Sequence, residues 1–358
     1  MMRTPRINEP SKVQTVTGVE RGPILDERDL GLPQSMKSLV QRGGVQHAED
    51  TLESFFRERG GRYRTEMSSP VTAVQSCSRL STYLAYGNLS MRTVLQTTEA
   101  YQERAKVFRR NASGERVPWR SSLASFSKRL RWHCHFIQKL ESQPSLEFQN
   151  MARAYDGLRE NDFREDFFEA WCRGETGYPM VDACMRSLHA TGWINFRMRA
   201  MLMSFASYHL WLHWRPTSLF LARNFLDYEP GIHYSQAQMQ SGTTGINSVR
   251  IYSPIKQVHD QDPDGLFIRQ WVPELALVPS EFIAQPEKMP FDVQINANCV
   301  IGRHYPSPIV EHKTAVQSAR KRLFSVRSKS ESRAEAQQVF QRHGSRRRPS
   351  QRRSSRRA

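Results

Sequence analysis

Residues 171–216 read WCRGETGYPMVDACMRSLHATGWINFRMRAMLMSFASYHLWLHWRP. They lie in the most aromatic section of the chain, 166–226, and their punctuation decides the fold. GETGYP and TGW hold glycine, threonine and proline, residues that break regular structure and set turns. The apolar residues between these breaks show no strict alternation, which predicts helices rather than strands. The block reads as the centre of a mainly helical body.

Working outward, a helix is expected from Val45 to Arg59, with Val45, Ala48, Leu52, Phe55 and Phe56 on one face. After the break GGRYRTEMSSP comes VQSCSRLSTYLAYGNLSMRTVLQTTEAYQERAK, a hydroxyl-rich start followed by more helix. The polar loop RRNASGERVPW leads into the amphipathic SSLASFSKRLRWHCHFIQKL. Beyond 250 the chain is punctuated by proline (IYSPIK, DPDG, VPEL, QPEKMP, HYPSP), and a last helix is expected over about 311–327. Strand-like alternation is rare and no internal repeat is visible. The expected organisation is an irregular lead-in over 1–44, a helical domain over 45–327 and a basic, disordered tail over 328–358.

At 358 residues, 38% of them hydrophobic, the chain can bury a substantial core. No run of about 18 apolar residues suggests a membrane span, and the amino terminus lacks the apolar core of a secretory signal. Five scattered cysteines (Cys77, Cys134, Cys172, Cys184, Cys299) form no Cys-x-x-Cys pair. That pattern argues for reduced thiols in a cytoplasmic protein, and against a disulfide framework or a zinc site. The net charge is +17, and eight arginines with no acid lie between Gln341 and Ala358. Such a low-complexity segment attracts polyphosphate backbones without reading their sequence.

No Gly-x-Gly-x-x-Gly, Walker, His-Glu-x-x-His or Gly-x-Ser-x-Gly motif is present, so the common enzyme classes find no support. The order Trp–x–x–Gly–x–Thr–Gly–Tyr–Pro–x–Val–Asp–Ala–x–Met–Arg–x–Leu–x–x–Thr–Gly–Trp in 171–193 resembles the photolyase/cryptochrome family. SRLSTYLAYGNLS precedes it in family order, and DYEPG, RIYSPIKQ, DPDGLFIRQWVPEL and YPSPIVEHK follow it. The resemblance spans roughly 45–313 and implies the all-helical FAD-binding domain of that family. The family's amino-terminal α/β antenna domain finds no counterpart in the lead-in, so an antenna-less chain is expected.

The residues that would hold FAD follow position by position. Ser78, Arg79, Leu80 and Ser81 fall on the family's phosphate-binding segment, whose hydroxyls and amides at a helix start suit an anion. Cys77 replaces the usual threonine there, and Tyr63 stands near an upstream phosphate-binding tyrosine. Asp227 and Glu229 in DYE occupy an Asp–x–Asp position against the flavin, with Tyr228 between them. The resemblance pairs Asp227 with Arg199, since a buried carboxylate needs a partner. His133 and Asn195 join the cofactor set. His233 falls opposite flavin N5, where an imidazole can donate a hydrogen bond or titrate.

Catalytic roles are expected for Trp214 and His233. Trp214 matches the middle of the family's three electron-relaying tryptophans. Ala237 stands at the flavin-proximal position, and 158–163 (LRENDF) holds no distal one. Trp193, Trp211, Tyr208 and Tyr234 are the aromatic residues available for another route.

A DNA-facing set is implied as well. Trp132 matches a tryptophan that packs on flipped pyrimidines, Arg197 matches a DNA-proximal arginine, and His133 lies alongside. Lys128, Arg129 and Arg131 add charge. Three positions depart from the family: Arg129 replaces a base-binding acid, Phe196 an asparagine and Met239 a second lesion-facing tryptophan. The expected activity is light-driven repair of pyrimidine lesions, a carbon–carbon lyase reaction on duplex or single-stranded DNA. A cryptochrome-like blue-light sensor or nucleic-acid-binding flavoprotein is the alternative.

Overall fold

The computed structural model describes residues 37–105 and 114–344, with Pro5, Gly18, Gly22, Pro23, Leu25, Asp26 and 28–32 besides. The lead-in therefore lies largely outside the described residues, as does the arginine-rich terminus from 345 onward. The described residues form helices, turns and loops and no sheet.

The first group comprises α1 (Val45–Arg57), α2 (Tyr63–Glu66), α3 (Pro70–Ser76), α4 (Ser81–Ala85), α5 (Met91–Arg104) and α6 (Trp119–Ser142). They enclose a core of Ala48, Phe55, Phe56, Tyr63, Leu80, Tyr83, Val94, Leu123 and Phe126. Two details differ from expectation at α1. Val45 is exposed, and the helix stops at Arg57, with Arg59 opening a 3-10 turn over Arg59–Arg62.

The second group is built from the opening stretch: α7 (Glu165–Arg173), α8 (Pro179–Thr191), α9 (Phe196–Ser204) and α10 (Trp214–Asn224). Next come α11 (Pro230–Ser241), α12 (Pro254–Gln261), α13 (Leu266–Trp271) and α14 (Phe291–Asn296). The two breaks fall where glycine and proline place them: α7 and α8 end on Gly174 and Gly192, and Pro179 begins α8. At Gly177 φ is +74°, and a Cβ there would lie 2.5 Å from the backbone of Ser307 and Pro308, so only glycine fits. The same turn is held by Asp182, whose carboxylate accepts the Thr176 amide (2.8 Å), the Thr176 hydroxyl (2.6 Å) and the Gly177 amide (3.0 Å). Trp171, Met180, Val181, Cys184, Leu188, Met201 and Trp214 form the central apolar cluster.

The two groups meet where α11 packs on α6. A Cβ on Gly231 would lie 2.6 Å from the Cα of Ile137, so the helices touch backbone to backbone there.

Helix α15 (His312–Arg327) is capped by Glu311, which accepts the Lys313 and Thr314 amides. It is followed by a helix absent from the sequence expectation, α16 (Ser330–His343). The disordered tail expected from 328 is corrected up to this point. Val339 and His343 are buried, Glu335 accepts the Arg153 and Ala154 amides (2.6 and 2.8 Å), and the His343 ring lies 2.6 Å from the Gln143 amide oxygen. Counting arginines hid a segment with its own apolar and hydrogen-bonding contacts. No helix among the described residues is long and apolar enough to cross a membrane.

Candidate functional site

Asn195 is the extended residue before α9, and Arg199 stands on the first turn of that helix. Arg199 donates to both Asp227 oxygens (2.9 and 2.8 Å) and, through Nε, to the Ile194 carbonyl (2.8 Å). The fork matches the carboxylate geometry, which makes this a strong type of ion pair. The Asp227 side chain is 4% exposed and that of Arg199 24%, so the acid is the deeper partner. The Arg199 guanidinium also lies 4.1 Å from the Phe225 ring centre. The pairing expected from the resemblance is present.

Arg79 approaches the same acid from the first helical group. It adopts φ +62°, rests 3.8 Å over the Trp193 ring, and burial pulls its pKa down to about 10 against the opposing pull of Asp227. Around it, Ser78, Leu80 and Ser81 form the entrance to α4. That helix is only five residues long, so side-chain charge, more than a helix dipole, makes the segment electropositive. Arg59, Arg79, Arg129 and Arg199 all favour the Cys77 thiolate, yet burial outweighs them and pushes the thiol up to about 12. Cys77 is therefore a neutral thiol among four guanidinium groups. Tyr63 is buried beside it, its phenol held well above the usual range by burial while Arg129 opposes this through charge and a hydrogen bond.

Arg59 was missed by sequence reasoning. Its guanidinium donates to the carbonyls of Thr51 (3.0 Å), Cys77 and Ser78 (3.2 Å), and Nε donates to the Ser54 hydroxyl (3.0 Å). It thereby ties α1 to the 77–81 segment. An arginine in RERG, just ahead of that break, carries no pattern that announces this.

On α11, Glu229 acts as N-cap, accepting the Gly231 amide (3.3 Å), which gives the substituted carboxylate a helix-capping role. His233 Nε2 donates to the Ser218 carbonyl (2.8 Å). Burial, aided by Arg199, lowers its pKa to about 4 despite the Ser218 bond and Asp227. The ring is neutral at neutral pH, so of the two roles expected for His233 only a neutral hydrogen-bonding one survives there.

Several buried polar atoms on the helix that carries Arg199 and on two neighbouring helices have no hydrogen-bond partner among the described residues: His133 Nδ1 on α6, Asn195 Oδ1 and Arg197 Nε at the start of α9, and Gln236 Oε1 on α11. Helix α11 packs against both other helices. Such atoms ordinarily have partners, so this set together with the arginine cluster fits a ligand that carries both anionic phosphates and hydrogen-bonding ring atoms. FAD is such a ligand.

The outer face carries the expected nucleic-acid residues. Trp132 is 47% exposed and stacks on Phe136 (5.6 Å), with Lys128, Arg129 and Arg131 exposed on the same helix. Arg129 lies 4.8 Å over the ring of Phe196, itself exposed, so two of the departures from the family pattern contact each other. Arg197 and Met239 are half-buried. Trp214 is wholly buried and donates its indole N–H to the Asn150 side-chain oxygen (2.7 Å).

Known proteins resemble the chain in sequence and in fold. Residues 126–325 match the family model described as the FAD binding domain of DNA photolyase. The chain is 30% identical over 271 residues to a deoxyribodipyrimidine photo-lyase of Alkalihalophilus pseudofirmus, covering 75% of this chain and 53% of that protein. Among solved structures, a Synechocystis cryptochrome aligns with a TM-score of 0.73 at 25% identity, over 83% of this chain and 60% of that one. A photolyase from Sulfolobus tokodaii, solved with two FAD molecules, aligns with a TM-score of 0.63 at 28% identity, over 80% of this chain and 57% of that one. The chain spans about half the length of the curated relatives it matches. With a matching family model over more than half its residues, the chain belongs to the photolyase/cryptochrome family and carries that family's FAD-binding domain.

Proposed function

We propose that this chain is a DNA photolyase-like flavoprotein that uses light to cleave the bond between fused pyrimidines. The observation that carries the reading is Trp132. A tryptophan 47% exposed beside three exposed cations is a stacking platform for an unpaired base, with charge placed for the phosphates. Arg199, Asp227, Arg79 and the 77–81 segment would hold FAD, His233 would face its ring, and Arg129, Trp132, Phe196, Arg197 and Met239 would line the mouth. When bound, the reduced flavin supplies the electron for repair; the protein orients both partners and excludes water. The scattered free cysteines support a reducing, cytoplasmic setting.

The test is to illuminate the photoreduced protein with blue light in the presence of dimer-containing single-stranded and duplex oligonucleotides. Recovery of the intact pyrimidine absorbance supports repair. Unchanged dimers beside a fully reduced flavin reject it and favour the second reading, a cryptochrome-like light sensor that binds nucleic acid. One feature supports that alternative: the mouth presents Arg129, a donor, where the repair enzymes' pattern places an acid, so an N–H of a base finds no carboxylate there.

A further inference from the structure

Tyr234 is 2% exposed on α11, next to His233, and lies at the centre of a chain of hydroxyls. Tyr228 donates to the Tyr234 oxygen (3.1 Å), and Tyr234 donates to Glu147 Oε1 (3.3 Å). The His233 ring centre lies 5.4 Å from that of Tyr234 and 5.3 Å from that of Tyr228, and Trp214 lies 6.4 Å from Tyr234. The His233 position is thus joined to a buried phenol that already points its proton at a carboxylate.

The other aromatic residues available for electron loss are placed against it. Trp193 lies under Arg79 at 3.8 Å. Trp211 has Arg159 at 4.4 Å and Arg322 at 4.9 Å, and Tyr208 has Arg159 at 5.7 Å. A guanidinium at that range opposes a second positive charge on the ring. Trp214 carries no such cation, but its N–H is bound to the amide oxygen of Asn150, which cannot take a proton. An oxidised Trp214 would stay charged in an apolar core, an unfavourable state. Tyr234 alone of these five pairs burial with a base.

We propose that Tyr234 is the residue that gives an electron to light-excited, oxidised flavin in this chain and then rests as a neutral radical, with Glu147 as its proton acceptor. One electron leaves the phenol for the flavin, the O–H bond breaks, and the proton moves to the Glu147 carboxylate, which becomes a carboxylic acid. Tyr228 steadies the phenolic oxygen by its hydrogen bond. The proposal rests on the flavin lying against His233, as the proposed function requires.

The experiment uses the full chain loaded with oxidised FAD, illuminated with blue light without added reductant, and follows radicals by electron paramagnetic resonance and transient absorption. Ring-deuterated tyrosine identifies a tyrosyl signal. The wild type is expected to give a long-lived tyrosyl radical, and Tyr234→Phe to lose it while remaining folded by circular dichroism and yellow. Glu147→Gln, which keeps the phenol and removes the base, is expected to slow tyrosyl formation about a hundredfold. A yellow Tyr234→Phe protein with an undiminished tyrosyl signal, an unchanged rate in Glu147→Gln, or a wild type that yields only a tryptophan radical overturns the proposal. A wild type that takes up no FAD removes the flavin reading and the relay together, whereas a yellow wild type without a tyrosyl signal removes the relay alone.

Discussion

Arg199 and Asp227, 28 residues apart in sequence, close a bidentate ion pair with both hydrogen bonds at 2.9 Å or less. Because the acid is the more buried partner, removing the arginine strands a charge, and removing the acid strands a guanidinium beside Arg79. Asp227→Ala is expected to lower stability by ~3 kcal/mol in urea unfolding of flavin-free protein. The same variant is expected to lose its yellow colour on gel filtration. Adding Arg199→Leu to Asp227→Ala should recover part of the stability and none of the flavin.

His233, His209 and His343 are all held neutral by burial, at about 4, 3 and 4 against an ordinary 6.5. Between 6.5 and about 4 the unfolded chain binds protons at these rings that the folded chain refuses. Stability therefore falls as pH drops through this window and is flat with respect to these groups above it. Each histidine contributes a slope of up to ~1.4 kcal/mol per pH unit. His233→Asn, which titrates nowhere in the window, is expected to flatten the slope of stability between pH 6 and 4.5, read from denaturant midpoints.

Trp132 is exposed, so replacing it tests binding without testing the core, whereas Arg129, exposed as well, also bonds the buried Tyr63. Trp132→Ala is expected to weaken binding of a single-stranded oligonucleotide by ~1–3 kcal/mol at fixed salt. Arg129→Ala is expected to reduce the slope of log affinity against log salt by ~0.7 for a single strand. The thermal midpoint of Trp132→Ala should stay within about a degree of the parent, since surface substitutions rarely exceed ~0.5 kcal/mol. Fluorescence anisotropy over a salt series checks the first two.

Truncation after Gly344 removes seven arginines and none of the packed helix. It should lower the salt dependence of nucleic-acid binding and leave the thermal midpoint unchanged. Truncation after Lys329 also removes α16 with the Glu335 bonds and Val339, and should lower the midpoint by several degrees. Equal midpoints in the two truncated proteins would mean that α16 contributes nothing to the body.

Legibility from sequence tracked whether a contact has a local pattern. Glycine–proline punctuation marked the limits of α7 and α8, and the ordered motif match pointed to the Arg199–Asp227 pair before any coordinate. Asp182 shows why that match is specific, since one carboxylate satisfies three donors on the turn written GETGYP. Arg59 lay beyond reach because all but one of its partners named above are backbone carbonyls, and any sequence supplies those. Glu147 beneath Tyr234 was equally invisible, since 87 residues separate them and neither sits in a motif. In α16, arginine-rich composition outweighed the spacing of Val339 and His343, which is a failure of weighting: both residues were in plain view.

The backbone contact between Gly231 and Ile137 leaves α6 and α11 no slack. Trp132 and Arg129 ride on the outer rod, His233 and Tyr234 on the inner one, and the close approach at residue 231 sets the distance between the two. Any side chain larger than hydrogen at 231 would therefore push the exposed face and the buried aromatic residues apart.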